Sequence, residues 1–320
     1  MGESGAIKTQ YVGGETVSVL LPLPLSGAYD YRVPKGAIRR AGEFVAVPLG
    51  RRHAIGVVWG PGSGEVAPER LKDIGEALPV APLPEASRRF VDWVAAYTLA
   101  PPGAVLKMAM SVPDALDPPK PQTGYGPAGA IPKSLKLTPA RRRVLDAAAG
   151  PPRPATELAR AAAVGVGVVK GLADAGALEA RPLPEKGFAA PDWRRAGVPL
   201  SPAQDEAAVD LAAKTKARAF SVTVLDGVPG AGKTEVYFQA VAAALEIGRQ
   251  ALVLLPEIAL GAQWLSRFRD RFGVEPAVWH SDVGHAERRA TWRAIADGRA
   301  GVVVGARSAL FLPFRDLGLI

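Results

Sequence analysis

No cysteine occurs in the 320 residues, which excludes disulfides, iron–sulfur clusters and thiolate-bound zinc within this chain. Histidine is scarce. His53, His280 and His285 are the only three, and without further ligand types around them a zinc site is not expected. No apolar run reaches about 18 residues, so no membrane span is expected. The start, MGESGAIKTQYVGGE, lacks a basic stretch before an apolar core, so no secretory signal is expected. Ala6 stands where a myristoylation motif wants Ser or Thr. A soluble cytoplasmic protein is the expectation these absences leave.

What is present suits a folded chain: 48% of residues are hydrophobic and 22% charged. The length predicts two or three domains. The 30 prolines and 35 glycines predict several linkers rather than general disorder. The net charge of +8 is spread along the chain, which permits nucleic-acid binding without requiring it.

Residues 10–112 read as a small β-rich domain closed by a helix. ETVSVLLPLPL, GAYDYRVP and GEFVAVPLGRRHAIGVVWG read as strands, and PEASRRFVDWVAAYTLA as the helix. Residues 113–134 are dense in Pro and Gly and read as a linker. Residues 135–185 carry three short helices and an extended piece, a winged-helix-like pattern. Thr138 caps the first helix before Pro139, and Thr156 caps the second. Such a unit serves either DNA or protein contact. Residues 196–320 alternate apolar runs with helical segments. AFSVTVLDG, RQALVLLPE, GVVVGA and LGLI read as parallel strands, with helices over 235–247, 258–272 and 284–297.

The sharpest signal is Gly227-Val228-Pro229-Gly230-Ala231-Gly232-Lys233-Thr234, which matches G-x-x-x-x-G-K-[ST] between an apolar run and a helix. Gly227, Gly230 and Gly232 let backbone amides turn toward phosphate oxygens, with Ala231 between them. The following helix start favours anions. Lys233 would reach the β- and γ-phosphates of ATP, and the Thr234 hydroxyl would hold Mg²⁺. Upstream, PLSPAQ places Gln204 at a helix start, where nucleic-acid translocases carry a glutamine that reads adenine.

The segments DGVPGAGKTEVY, ALVLLPEIAL, HSDVGHAERRATW and VVVGARSALFLPFRDLGLI resemble the first helicase lobe of the primosomal protein N′ (PriA) family, bacterial superfamily-two DNA helicases of replication restart. PLSGAYDYRVP with GEFVAVPLGRRHAIGVV, and then WVAAYTLAPPGAVLKMAM, resemble that family's 3′-end DNA-binding domain. The resemblance implies a multidomain α/β protein: a β-rich domain, a winged-helix domain and a P-loop, RecA-like parallel sheet that is incomplete at the C-terminus. It implies that Pro256, Glu257, Arg307 and Ser308 touch a single-strand backbone. Tyr29, Asp30 and Tyr31 would meet a DNA 3′ end, an aromatic stacking on the last base and a carboxylate accepting from the 3′-hydroxyl.

The resemblance further implies ATP-driven 3′-to-5′ translocation on forked DNA and helicase reloading. It also implies partnership with single-strand-binding protein and other primosome proteins, and a nucleoid-associated cytoplasmic location. The family's zinc-binding cysteines, its acidic D-E-x-H box and its second lobe have no counterpart in these 320 residues. A fragment that binds DNA and ATP without turnover is therefore expected. The alternative is a non-catalytic winged-helix regulator, which would bind specific duplex sequences.

Overall fold

In TVSVL, residues 16–20, Val17 and Val19 are buried while Thr16 and Ser18 are half-exposed, the alternation of a strand with one face on a core. Val19 and Leu20 are both buried, on opposite faces of the sheet, and the pairing shifts register between Ser18 and Val19. The computed structural model describes residues 9–118, 122–132, 135–183, 187–256 and 261–320. Two compact units divide the chain, 1–118 with 188–320, and 119–187.

The first unit begins with β1 (Gln10–Val12), β2 (Thr16–Leu20), β3 (Tyr29–Arg32), β4 (Ile38–Arg40), β5 (Phe44–Leu49) and β6 (Arg52–Pro61). These form an antiparallel sheet in the order β3-β2-β6-β5, with β1 and β4 as a separate pair. Pro48 lies near the end of the edge strand β5, where its missing N–H costs no ladder bond. Two helices follow, α1 (Glu85–Thr98) and α2 (Pro102–Ala109). α1 stops at Leu99, which adopts the left-handed conformation at φ 55°.

The second unit holds β7 (Gln122–Pro127), α3 (Pro139–Ala147), β8 (Arg153–Pro154), α4 (Ala155–Ala161), α5 (Val166–Asp174) and β9 (Leu178–Leu183). The expected linker over 113–134 is thus partly structural, because 122–127 is the central strand of a sheet ordered β8-β7-β9. Tyr125 and Gly126 pair antiparallel with Ala180 and Glu179, a long-range ladder that local Pro and Gly content does not reveal. Thr138 caps α3 by accepting from the Arg141 amide at 3.3 Å. Thr156 lies inside α4, whose N-cap is Pro154. Val144, Leu158, Val169, Leu172 and Leu178 form the core of this unit.

The chain returns to the first unit through α6 (Pro202–Lys216), α7 (Lys233–Glu246), β10 (Gln250–Leu254), α8 (Ala262–Phe272), β11 (Ala277–Trp279), α9 (His285–Ala296), β12 (Val302–Gly305) and β13 (Leu317–Leu319). The parallel sheet runs β11-β12-β10-β13. Every residue of β12 is buried, as a strand covered on both faces requires. On one face Phe238 of α7 packs with Trp264, Phe268 and Phe272 of α8. The buried Gln250 is fully engaged: it donates to the Ile295 and Ala300 carbonyls and accepts from the Asp316 amide.

The expected strand over 219–227 forms no strand here. Phe220, Val222 and Val224 are 95%, 80% and 86% exposed. A groove of about 500 Å³ lies between Phe220–Thr223 and Leu317–Ile320. An apolar run becomes a strand only where a neighbour offers ladder positions, and no described strand pairs with this one.

On the sheet's other face α9 is shared with the β-rich domain. Trp292 is buried and donates its indole N–H to the Ala109 carbonyl at 3.0 Å. Its ring meets Phe44 edge-on at 6.0 Å. Arg293 donates to the Ala115 and Asp117 carbonyls, and Phe311 packs on Phe90 at 5.2 Å. Leu20, Phe44, Leu106, Trp292, Ile295 and Phe311 therefore belong to one core.

Trp292→Ala is expected to cost about 3–5 kcal/mol. In urea unfolding, probes in the β-rich domain and in the parallel sheet should shift together. Val222→Glu, by contrast, is expected to change stability by less than about 0.5 kcal/mol. A loss of several kcal/mol would mean that 219–227 is a buried strand.

Candidate nucleotide and nucleic-acid sites

The loop Gly227–Gly232 leads straight into α7, whose N-cap is Gly232 and whose first turn has no side-chain cap. Free amides at the start of a 14-residue helix form an anion site when backbone around them can wrap a phosphate. Gly230 and Gly232 supply that wrap, with φ of 84° and 76°. Side chains other than glycine reach this region at a cost. Lys233 Nζ donates to the Gly227 and Val228 carbonyls, so its ammonium lies within the loop's own curve. Thr234 is half-buried on the same first turn. Glu235, one residue on, is mostly buried and lies 3.7 Å from the Arg267 guanidinium. The residues present fit a Mg–nucleotide: an uncapped helix start, two left-handed glycines, one lysine and one hydroxyl.

Gln204 stands at the third position of α6, where it completes a capping box with Ser201. Its Oε1 accepts from the Ser201 amide at 2.8 Å, and its Nε2 donates to the Ala231 carbonyl at 2.9 Å. The amide expected to read adenine therefore also ties α6 to the phosphate loop. The left-handed backbone favours glycine at position 232, and a methyl group there would stand 2.6 Å from Gln204 Nε2 and displace it.

At the C-terminal ends of the parallel strands three turns come together. Leu254 and Trp279 both stand beside Gly305 in the sheet. The Leu255 amide donates to the Gly305 carbonyl at 3.0 Å, and the Ala306 amide to the Trp279 carbonyl at 3.3 Å. Pro256, the exposed Arg307 and Ser308, and the pair His280–Ser281 thus leave the sheet at one edge, the place where α/β sheets bind ligands. Gly305 permits this convergence, since a Cβ there would stand 2.4 Å from the Trp279 carbonyl oxygen. Glu257 lies outside the described residues. Arg288 lies over the Trp279 ring at 4.8 Å. Among the described residues no cluster of His, Asp and Glu is arranged to hold a metal.

In the β-rich domain Tyr29 is exposed on edge strand β3. Asp30 accepts from the Ser63 amide at 2.9 and 3.0 Å and from the Ser63 hydroxyl at 2.8 Å. Ser63 arrives through Gly62, whose Cβ would stand 2.4 Å from Thr16 Cγ2. The sequence reading missed Ser63; the small-residue turn GPGSG was its only signal. Tyr31, expected at the DNA, is 4% exposed and donates its hydroxyl to the Pro48 carbonyl. Burial raises its pKa, with Tyr29 adding to the effect. Strand alternation puts Tyr29 and Tyr31 on one face of the strand, and they differ because the core covers Tyr31 alone. Tyr31 leaves no ring face for a base.

Residues 18–111 match the 3′ DNA-binding domain (3′BD) of PriA, and residues 201–318 match the DEAD/DEAH box helicase family. The chain is 31% identical over 328 residues to the replication restart protein PriA of Haemophilus influenzae, covering 95% of this chain and 43% of that protein. It is 28% identical over 305 residues to the Rickettsia felis protein of the same name, covering 94% of this chain and 36% of the relative. Nearly the whole chain is similar to PriA proteins. Against the Bacillus subtilis PriA, identity is 48% over 99 residues, 31% of this chain and 12% of that protein. The chain spans less than half the length of these PriA relatives. The PriA 3′ DNA-binding match contains Tyr29, Asp30 and Ser63, and the helicase match contains Gln204, the phosphate loop and the Arg307 turn.

Gly232→Ala is expected to cost about 1–3 kcal/mol, through left-handed strain and displacement of the Gln204 amide. Gly230→Ala meets only open space and should cost the strain alone. Urea denaturation of the two variants should rank them in that order; equal costs would remove the Gln204 contact from the account.

Proposed function

We propose that the chain is the DNA-end-binding and first ATP-binding part of a replication-restart helicase. In this reading it engages a DNA 3′ end at forks with its β-rich domain and a single strand with its parallel sheet. In the longer proteins of the family, ATP would drive 3′-to-5′ translocation and help reload the replicative helicase. The observation that carries this is the shared core: the domain bearing Asp30 and the lobe bearing the phosphate loop are built around the same α9.

Each role has a physical reason. The α7 amides and Lys233 would hold the nucleotide phosphates, the Thr234 hydroxyl its Mg²⁺, and Gln204 the adenine. Mg–ATP, when bound, supplies the phosphoryl group whose hydrolysis powers movement. Arg307 and Ser308, beside Pro256, offer donors to backbone phosphates and need no particular base. Glu257 belongs to the same turn by sequence. Tyr29 would stack on a terminal base while Asp30 accepts from a free 3′-hydroxyl, with Ser63 fixing the carboxylate. The 119–187 unit, with its three helices and small sheet, reads as winged-helix-like. Single-strand-binding protein and other primosome proteins are the expected partners, and a nucleoid-associated cytoplasmic location follows from that role.

These 320 residues contain no D-E-x-H sequence, so nucleotide binding without DNA-driven turnover is the expected behaviour of the chain alone. A coupled ATPase assay with forked DNA checks this, and robust turnover would overturn it. Lys233→Ala should weaken binding of a fluorescent ATP analogue roughly tenfold or more, as loss of a charge-assisted contact implies. Forks ending in a 3′-hydroxyl should outcompete the same forks ending in a 3′-phosphate, and Asp30→Ala should erase that preference. Equal competition by both ends in the unaltered chain would sink the end-binding reading.

A further inference from the structure

The phosphate loop lacks one of its customary supports. The residues before it, Phe220–Val224, are exposed and pair with no described strand, so none of the described strands aims the loop from that side. A side-chain tether comes from Gln204, whose Nε2 holds the Ala231 carbonyl. What fixes Gln204 is then the question, and the hydrogen bonds lead to α8.

Arg271 of α8 is 6% exposed, and its guanidinium is spent on main-chain and amide oxygens. Nη1 donates to the carbonyls of Arg195 and Trp193, and Nη2 to the Trp193 carbonyl and to Gln239 Oε1. Its Nε is buried without a partner against Gly197, where a Cβ would stand 3.2 Å from Arg271 Nε and Cδ. Burial lowers the Arg271 pKa, and the nearby Glu235 and Asp192 carboxylates oppose that, so the group remains a cation. The same strap is pinned again by the Asp192 amide, which donates to the Phe272 carbonyl at 2.9 Å. Only Val198, Pro199 and Leu200 separate Gly197 from Ser201, the cap that orients Gln204. Proline in so short a connection leaves little slack.

We propose that Arg271 is a positioning residue for the phosphate loop: by anchoring the 192–197 strap it sets the Ser201–Gln204 cap, and through Gln204 it holds Ala231 and Gly232 in place. This rests on the nucleotide-binding reading above. The fork of the guanidinium matters more than its charge, because three oxygens from two elements must be met at once.

The test uses the whole chain with two readouts, affinity for a fluorescent ATP analogue and amide hydrogen exchange over residues 227–232. Arg271→Met keeps the stem and removes the donors; Gly197→Ala crowds the strap against the guanidinium. Both are expected to weaken the analogue roughly tenfold and to raise exchange in the loop, with Arg271→Lys giving little rescue. In a Gln204→Ala background neither should cost further affinity, since the relay is already cut; coupling of this kind separates positioning from general destabilisation. Unchanged affinity and exchange, or the same loss in both backgrounds, overturns the proposal. If Arg271→Met fails to fold, Gly197→Ala decides alone. A wild-type chain that does not bind the analogue overturns the nucleotide reading, and the exchange readout still judges the relay.

Discussion

Burial of the Trp292 ring is the interaction on which most of this unit depends. A tryptophan buried from water carries a large apolar contribution and one N–H that needs an acceptor. Here the ring lies against Phe44 of the β-rich domain and the N–H goes to Ala109 at the end of α2. Either domain alone would leave that surface wet. The boundary between them is therefore a core, not a polar contact of the kind that lets domains move freely. The domain bearing Asp30 and the lobe bearing the turns at the ends of the parallel strands are held by one packed layer.

The parallel sheet offers side chains to a ligand at its strand ends for a related reason. β12 is buried along its whole length, so chemistry can occur only where it emerges, at Gly305. Neighbouring β10 and β11 end level with it, and three loops with distant sequence positions become one surface. The phosphate loop obeys a different constraint. It is held by an uncapped helix start behind it and by Gln204 beside it, while the run before it has no sheet partner among the described residues.

Much of this was legible in the residues. The phosphate loop could be read because its chemistry demands glycines, a lysine and a hydroxyl at fixed spacing. Helices α1, α7 and α9 followed from apolar periodicity, and Thr138 acts as the expected cap. Failures have physical causes. Gly124 and Gly126 lie in β7, where long-range pairing overrides local turn preference. FSVTVL has every local property of a strand, but no described strand pairs with it. Tyr31 and Tyr29 look alike in sequence, and only the covering of one by Pro48 and the core separates them. Ser63 has no pattern of its own; it matters because Gly62 brings it to Asp30.

The amino-acid sequence by itself determined the local chemistry: which turn can cradle phosphates, which segments are helical, and which family the chain resembles. Those depend on neighbours a few residues apart. Tertiary structure decided which carboxylate is clamped, which tyrosine is free, that α9 serves two domains, and that Arg271 reaches the strap leading to Gln204. Each of these joins residues tens or hundreds of positions apart, and such pairings are set by the packing of a shared core rather than by any local preference.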